Sequence, residues 1–369
     1  MSHTVGRAIV DSLEAHDIDL VYCVPGESYL GFTNAMADNN RMRLIVCRHE
    51  GGAAFMAAAD GRMRGGRAGM LVVSRGPGLS NAMIGLHTAW HDATPLVVLI
   101  GQVERWEAGR MALQEQNYSR LLADVTKLVI EVNDPALASE AMARAFHVAE
   151  SGTPGPVAVI IPEDVFDAET DASAAKPRPA ALGGARLEDL DRLAAMLAAA
   201  ERPIVWVGGA VHPADVADVA KLAEQWMLPV MPTHRRPHLF DPAHPNYGGY
   251  ASGRPPREVM DAWKETDLLV ALGERLTVSS HRVSPSRRRP TRKCRSSMSG
   301  PGRRKWGKPS ARISAWRASR LPSCARCSQR ARLLAPPSAK PGWSGSTRCI
   351  IRSASRNGSR PRTASISRR

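Results

Sequence analysis

Residues 44–61 read Leu-Ile-Val-Cys-Arg-His-Glu-Gly-Gly-Ala-Ala-Phe-Met-Ala-Ala-Ala-Asp-Gly. The first four residues are apolar and indicate a short strand, whereas the alanine-rich part predicts a closely packed helix over 51–64. Glu50 stands alone between the two elements. A carboxylate at a helix start is stabilised by the helix dipole, so spacing alone favours a structural role for Glu50.

The same alternation of strand and helix extends on both sides of this stretch. The helical patterns cover residues 5–16, 30–36, 51–64 and 79–90. The strand patterns cover residues 20–24, 44–47, 69–74, 95–101 and 157–161. Because the strands are continuous apolar runs separated by helices, we predict a parallel sheet covered on both faces.

A second series of the same kind follows a polar segment at 167–184, which we interpret as a linker. It contains helical patterns at 187–199 and 214–226, and strand patterns at 204–208, 229–231 and 268–272. The predicted fold class is therefore α/β, with two doubly wound parallel-sheet domains. The first occupies residues 1–166, and the second, which we expect to be incomplete, occupies 185–280.

The last 89 residues, 281–369, have a different composition. They hold 25 of the 50 Lys and Arg residues and no Asp or Glu, so residues 1–280 carry a net charge of −10. They also contain 18 Ser and nine Pro, with no helical or strand period. We predict a disordered basic tail. One interpretation is a nucleic-acid-binding arm. We prefer a reading-frame slip in a GC-rich gene, which sequencing of the gene would test.

Two further turns between a strand and a helix stand out. Residues 24–27 read Val-Pro-Gly-Glu, and residues 74–81 read Ser-Arg-Gly-Pro-Gly-Leu-Ser-Asn. The second contains only Gly-x-Gly, which is a weak match to a dinucleotide fingerprint. Its simplest interpretation is a Pro-Gly turn with Ser80 or Asn81 near a helix start. Both turns, like Glu50, follow the carboxyl end of a strand, where open α/β sheets bind ligands.

Taken in order, these motifs resemble the pyrimidine-binding domain of thiamine diphosphate enzymes of the acetolactate synthase type. The resemblance continues through Thr-Pro-Leu-Val-Val-Leu-Ile-Gly at 94–101 to Pro-Glu-Asp-Val at 162–165. From 203 to 277 the chain is more loosely similar to the central domain of the same enzymes. Several ordered motifs at matching spacings are far more specific than any one of them.

The resemblance implies roles for individual residues. Glu50 matches the catalytic glutamate, whose carboxylate would hydrogen-bond a ring nitrogen of the cofactor's aminopyrimidine. The other positions that match the cofactor pocket or the substrate cleft are Val24, Pro25, Gly26, Ser74, Pro77, Asn81 and Gln114. No metal ligand is expected in this chain. In the family, Mg²⁺ and the diphosphate are held by a C-terminal domain bearing Gly-Asp-Gly, and that motif does not occur after residue 166.

The resemblance also implies an activity, namely decarboxylation and carboligation of 2-oxo acids. Leu113 stands where acetolactate synthases usually carry an aromatic residue, and residues 233–237 also differ from their usual pattern. The particular 2-oxo acid is therefore left open, and FAD, which some family members bind, is not predicted. Since the family's active site lies between two subunits, we expect a homodimer or tetramer through the first domain. We expect this chain alone, cut off before its diphosphate domain, to be inactive or nearly so.

Three alternatives remain open at this point. The chain could be a non-catalytic half-site or regulatory subunit that another polypeptide completes. It could instead bind nucleic acid through its basic tail, with a steep salt dependence, or be a dinucleotide-dependent dehydrogenase. The N-terminus lacks the features of a signal peptide, and the apolar runs are too short to span a bilayer. We therefore expect a cytoplasmic protein with neither nucleic acid nor membrane as a partner.

Overall fold

The structure of the protein, a computed structural model, describes residues 2–178, 184–251, 255–276, 295–298 and 314–315. These residues form two compact units, and the boundary between them lies near residue 184. Each unit contains a sheet of parallel strands with helices packed on it.

Six parallel strands form the sheet of the first unit. With elements numbered along the chain, they are β2 (Leu20–Cys23), β3 (Arg43–Val46), β4 (Gly69–Ser74), β5 (Leu96–Gln102), β6 (Leu128–Glu131) and β7 (Pro156–Pro162). Their order across the sheet is β3-β2-β4-β5-β7-β6. Strands β2, β4 and β5 are central, and each pairs with a parallel neighbour on both sides.

Two groups of helices cover the two faces of this sheet. The first group is α1 (Val5–Ala15), α2 (Leu30–Ala37) and α6 (Ala138–Glu150). The second group is α3 (Glu50–Met63), α4 (Arg75–His91) and α5 (Tyr118–Leu122). Alternate residues of the strands enter the two cores. Along β4, for example, Met70 and Val72 face the first group, and Leu71 and Val73 face the second. The prediction of a doubly wound parallel sheet is therefore confirmed.

Helix α4 begins four residues earlier than the sequence pattern predicts. We expected a turn at Pro77-Gly78 and a helix from residue 79, but the helix begins at Arg75, directly after strand β4. Pro77 is tolerated there because the amide hydrogens of a first helical turn have no partner within the helix. The first turn of α4 therefore lies at the edge of the sheet, where we predicted a loop.

Residues 169–170 depart from the predicted linker. They form strand β8 (Glu169–Thr170), which pairs antiparallel with β1 (His3–Thr4), next to the start of α1. A short helix, α7 (Glu163–Phe166), connects β7 to this pair. The N-terminal residues of the first unit are thus fastened to the segment that leaves its last strand.

The second unit repeats the arrangement on a smaller scale. Its strands β9 (Pro203–Val207), β10 (Val230–Pro232) and β11 (Leu268–Leu272) are parallel, in the order β10-β9-β11. Helices α8 (Leu187–Ala199) and α9 (Val216–Trp226) contribute to one core. Helix α10 (Arg257–Lys264) contributes to the other, where Trp206 and Trp263 lie with their ring centroids 5.6 Å apart. The predicted parallel sheet is confirmed here too.

Two short strands fall in the segment for which we expected no strand pattern. Strand β12 (Arg295–Met298) pairs parallel with β11, and β13 (Ser314–Ala315) pairs with β12. Sheet pairing uses backbone groups that every residue except proline carries, so a strand can form without an apolar pattern. The rest of the predicted tail lies outside the described residues. Among the helices of the described ranges, none is long and apolar enough to cross a membrane.

Candidate cofactor-binding site

The residues predicted to form the site lie at one edge of the first sheet. Val24, Pro25 and Gly26 follow β2, whereas Glu50 begins α3 after β3. Ser74 ends β4, and Pro77 and Asn81 lie in the first two turns of α4. Gln114 belongs to the loop between β5 and α5. Since the four strands are parallel neighbours, their carboxyl ends bring these residues to a common edge.

Glu50 is the first residue of α3, and its carboxylate is only partly buried. The preceding residue, His49, caps the helix because its Nδ1 accepts a hydrogen bond from the Gly51 amide at 3.0 Å. From the neighbouring helix, Asn81 Nδ2 donates to Glu50 Oε2 at 2.9 Å. The sequence analysis proposed both side chains for the site, and the structure brings them into direct contact.

Beside this carboxylate, the first turn of α4 presents bare backbone at Gly78, which we call the open wall because it carries no side chain. Gly78 is buried, and a Cβ atom added to it would lie 3.5 Å from Glu50 Oε1. That side of the oxygen is therefore lined by the backbone of residue 78 and not by a side chain. A flat ring could approach Glu50 there. The sequence pattern gave Gly78 no role beyond that of a turn residue.

The loop after β2 packs very closely on the end of β4. A Cβ atom on Gly26 would lie 2.4 Å from Ser74 Cβ, which is too close for any side chain. Ser74 Oγ and Ser28 Oγ are hydrogen-bonded at 2.8 Å. Ser28 in turn packs on Gly101, where an added Cβ would lie 2.3 Å from Ser28 Oγ. Glycine is thus required at 26 and 101, and Ser28 joins three strand ends.

The loop that carries Gln114 contacts the start of α4 through its backbone. The Gly76 amide donates to the Gln114 carbonyl at 3.1 Å, and Gln114 adopts a left-handed φ of +67°. Glu115 stabilises this loop, because its carboxylate accepts from the amides of Gly109 at 2.6 Å and Ala112 at 3.3 Å. The Gln114 side chain itself is exposed.

A buried tyrosine supports the loop after β2. The Tyr29 hydroxyl donates to the Val24 carbonyl, and Tyr29 has no exposed surface. Burial raises the pKa of Tyr29, and the nearby Cys23 and Glu50 raise it further. Burial also raises the pKa of Cys23 to about 11. Both groups are therefore neutral at pH 7, and Val24 is held by a neutral hydrogen bond.

Pro25 and Pro77 lie at the same edge with exposed side chains. They contribute shape to the loops that carry them rather than polar contacts, because proline has neither an amide hydrogen nor a polar side chain. The predicted residues that the structure joins through hydrogen bonds or close packing are thus Glu50 with Asn81, and Gly26 with Ser74.

Arg75 lies at the centre of this edge and was not among the residues predicted for the site. Its side chain is 10% exposed, and its guanidinium pairs with Glu163 Oε2 at 2.7 Å and with Glu27 Oε1 at 3.3 Å. Arg75 has a φ of +48°, a conformation that costs a residue other than glycine about 1–2 kcal/mol. A charged residue between an apolar strand and a Gly-Pro-Gly segment was the only sequence signal for this role.

The candidate site offers one carboxylate among small residues. A single carboxylate with one oxygen beside an open wall can accept a hydrogen bond from a ring N–H, and the small residues around it permit close approach. In the part of the chain that the structure describes, no group of three or more His, Cys, Asp or Glu side chains could hold a metal ion.

Two families of known proteins match the chain. The family described as "Thiamine pyrophosphate enzyme, N-terminal TPP binding domain" matches residues 3–121. The family described as "Thiamine pyrophosphate enzyme, central domain" matches residues 190–294. The first match includes all of the candidate site residues.

Curated relatives are similar over most of the described chain. The acetolactate synthase large subunit of Corynebacterium glutamicum is 32% identical over 279 residues, which cover 74% of this chain and 44% of that protein. The acetolactate synthase isozyme 1 large subunit of Escherichia coli K12 is 35% identical over 274 residues, covering 74% and 48%. A probable acetolactate synthase large subunit of Methanocaldococcus jannaschii is 32% identical.

The chain spans less than half the length of each of these relatives. The two family matches follow one another in the order expected for thiamine pyrophosphate enzymes, and each falls on one of the two α/β units. The chain therefore carries regions that match the N-terminal and central domains of thiamine pyrophosphate enzymes, and over these regions it is similar to acetolactate synthases.

Proposed function

We propose that the first unit binds the aminopyrimidine half of thiamine diphosphate, with Glu50 as its hydrogen-bonding partner. The observation that carries this proposal is the Glu50 carboxylate, which is fixed by Asn81 on one side and faces the open wall at Gly78 on the other. A flat ring in that space would lie within reach of Oε1. Val24, Pro25, Gly26, Ser74, Pro77 and Gln114 would shape the rest of the pocket.

The residues of this chain act by binding and by holding a proton in place. Glu50 accepts a hydrogen bond from a ring N–H and so holds that proton between the ring nitrogen and its own oxygen, while Asn81 keeps the carboxylate oriented. Ser28 and Ser74 keep the loop after β2 against β4. When bound, thiamine diphosphate supplies the electron sink for decarboxylation of a 2-oxo acid.

We further propose that the substrate is a 2-oxo acid and that the diphosphate and Mg²⁺ are held by a different polypeptide or domain. The names of the relatives support the substrate class, since each is called an acetolactate synthase. On this proposal the chain alone is inactive or nearly so, and it assembles as a homodimer or tetramer through its first unit.

Binding of thiamine, which lacks the diphosphate, isolates the proposed pyrimidine site from any phosphate or metal site. We expect the full chain to bind thiamine in a calorimetric titration and Glu50→Gln to bind it about tenfold or more weakly. This loss is expected because a hydrogen bond to a charged group contributes about 1.5–3 kcal/mol. Glu140→Gln is the matched control, since Glu140 is an exposed first-turn glutamate of another helix in the same unit.

The control variant should bind thiamine as the unaltered chain does. Equal binding by all three proteins would show that Glu50 does not contact the ring, and absence of binding to the folded, unaltered chain would remove the proposed pyrimidine site altogether. Circular dichroism of each protein would show that the fold is retained.

A further inference from the structure

Arg75 joins three strand ends at the candidate site. It follows β4 directly, and its guanidinium reaches Glu27 on the loop after β2 and Glu163 at the end of β7. Strands β2 and β7 are not neighbours in the sheet, because β4 and β5 lie between them. One side chain therefore links loops that the sheet itself does not join.

This arginine is held in an unfavourable state. Its φ of +48° lies in the left-handed region, which favours glycine. Its Nε is buried and has no hydrogen-bond partner among the described residues, and an unpaired buried donor is destabilising. Its positive charge also lies at the N-terminus of α4, where the helix dipole disfavours a cation. Strained and incompletely paired residues of this kind cluster at functional sites.

The residues next to Arg75 in the chain make several of the contacts at the candidate site. Residue 74 carries the hydroxyl that bonds Ser28, and residue 76 carries the amide that bonds the Gln114 carbonyl. Three residues after Arg75 comes Gly78, the open wall beside Glu50, and one turn later comes Asn81. A shift of the first turn of α4 would therefore move the contacts of residues 74, 76, 78 and 81 together.

We propose that Arg75 is a positioning residue that holds the loop at 24–27 against the first turn of α4. Asn81, one turn further along α4, then keeps the Glu50 carboxylate oriented toward the pyrimidine. The role in pyrimidine binding rests on the proposed function. The locking itself does not, because it concerns contacts within the free protein. Glu27 and Glu163 are the two anionic anchors of this lock.

Hydrogen exchange of the ligand-free chain tests the lock. In Arg75→Met we expect amide exchange in peptides covering 24–30 and 74–82 to accelerate about tenfold or more, because removal of the cation leaves the partly buried Glu163 carboxylate without its partner and ends the contact with Glu27. Arg75→Lys keeps the charge but reaches its partners with one ammonium rather than a planar fork, so we expect an intermediate acceleration. If Arg75→Met does not fold, Glu163→Gln serves for the same test, because it removes one charged partner and leaves Arg75 in place.

The matched control is Arg62→Met. Arg62 pairs with the buried Asp92, and its Nε donates to Thr94 at 3.1 Å, at the opposite end of α3 from Glu50. We expect this variant to lose global stability. When the proteins are compared at denaturant concentrations that give them equal global stability, its amides at 24–30 and 74–82 should exchange no faster than those of the unaltered chain. Uniform acceleration in both variants would mean that Arg75 has only a general structural role, and the proposal would fall.

Thiamine titration of the same variants gives the second readout. We expect Arg75→Met to bind thiamine about tenfold more weakly, in the range that positional coupling produces, and Arg62→Met to bind it as the unaltered chain does. Binding that Arg75→Met leaves unchanged would overturn the proposal. If the unaltered chain does not bind thiamine, the proposed function fails, whereas the exchange result still decides whether Arg75 locks the two loops.

Discussion

The orientation of Glu50 depends on one side chain from a neighbouring helix. Asn81 Nδ2 donates to Glu50 Oε2 at 2.9 Å. We expect Asn81→Ala to weaken thiamine binding about fivefold to tenfold, because the carboxylate loses its donor. Asn81→Asp should weaken binding more than Asn81→Ala, since two carboxylates at this distance repel each other. Calorimetric titration at pH 7.5 measures both, and the reverse order would contradict the proposed role of Asn81.

His16 makes the stability of the first unit dependent on pH. The ring stacks on Phe146 at 4.5 Å, and Nδ1 donates to the Ser12 carbonyl at 2.8 Å. Burial lowers the pKa of His16 below its ordinary value, although the Ser12 carbonyl and Asp17 oppose this shift. As the pH falls through about 6.5, the unfolded chain therefore binds a proton more readily than the folded chain, and folding loses stability.

We expect the free energy of unfolding to fall between pH 7.5 and pH 5.5 more steeply in the unaltered chain than in His16→Gln. Urea denaturation at several pH values measures this difference, and the other histidines contribute equally to both proteins. Parallel pH profiles would show that His16 does not account for the loss.

The site residues differ in how far the sequence could predict them. Glu50 and Asn81 could be proposed because they belong to ordered motifs of the family. The open wall at Gly78 and the strained backbone of Arg75 could not, because the first depends on how α3 and α4 pack and the second appears only in the three-dimensional path of the chain. A glycine that leaves space for a ligand looks the same in a sequence as a glycine that forms a turn.

Helices α3 and α4 pack closely because both carry small residues where they meet. A Cβ atom added to Gly85 would lie 2.4 Å from Ala54 Cβ and 3.0 Å from the Ala54 carbonyl carbon. We expect Gly85→Ala to destabilise the chain by about 1–3 kcal/mol, because overpacking forces the helices apart. This cost exceeds the gain of about 1 kcal/mol that alanine brings within a helix.

Gly52→Ala is the control for this prediction. Gly52 lies on the exposed side of α3, and an added Cβ would meet no atom within 4 Å. The helix propensity of alanine should therefore stabilise this variant by up to about 1 kcal/mol. Chemical denaturation measures both changes, and shifts in the same direction would contradict the close packing of the two helices.

At the level of elements, apolar runs predicted the strands well because a parallel sheet buries both faces of each strand. The start of α4 was wrong, since Gly-Pro-Gly is common in turns but also allowed in a first helical turn. Strand β6 and helix α6 were not predicted. β6 is an edge strand of four residues, three of them only partly buried and the last exposed, so it lacks the long apolar run of the central strands.

The described residues form two α/β units, and the chain spans less than half the length of the curated relatives it matches. We expect pyruvate turnover, with thiamine diphosphate and Mg²⁺, to be at background for this chain alone. Addition of a polypeptide bearing the diphosphate-binding domain of a related enzyme should raise the rate, and Glu50→Gln should abolish that increase. Full turnover without the added polypeptide would refute the half-site proposal. Tight association without any turnover would favour a regulatory subunit.

A crystal structure of the chain with thiamine diphosphate would show whether the Glu50 carboxylate contacts the cofactor ring. We predict that the aminopyrimidine lies against Gly78, with a ring nitrogen about 2.6–3.2 Å from the Glu50 carboxylate, while Asn81 remains bonded to the other oxygen. A ring bound elsewhere, with the Glu50 side chain directed into solvent, would contradict the account.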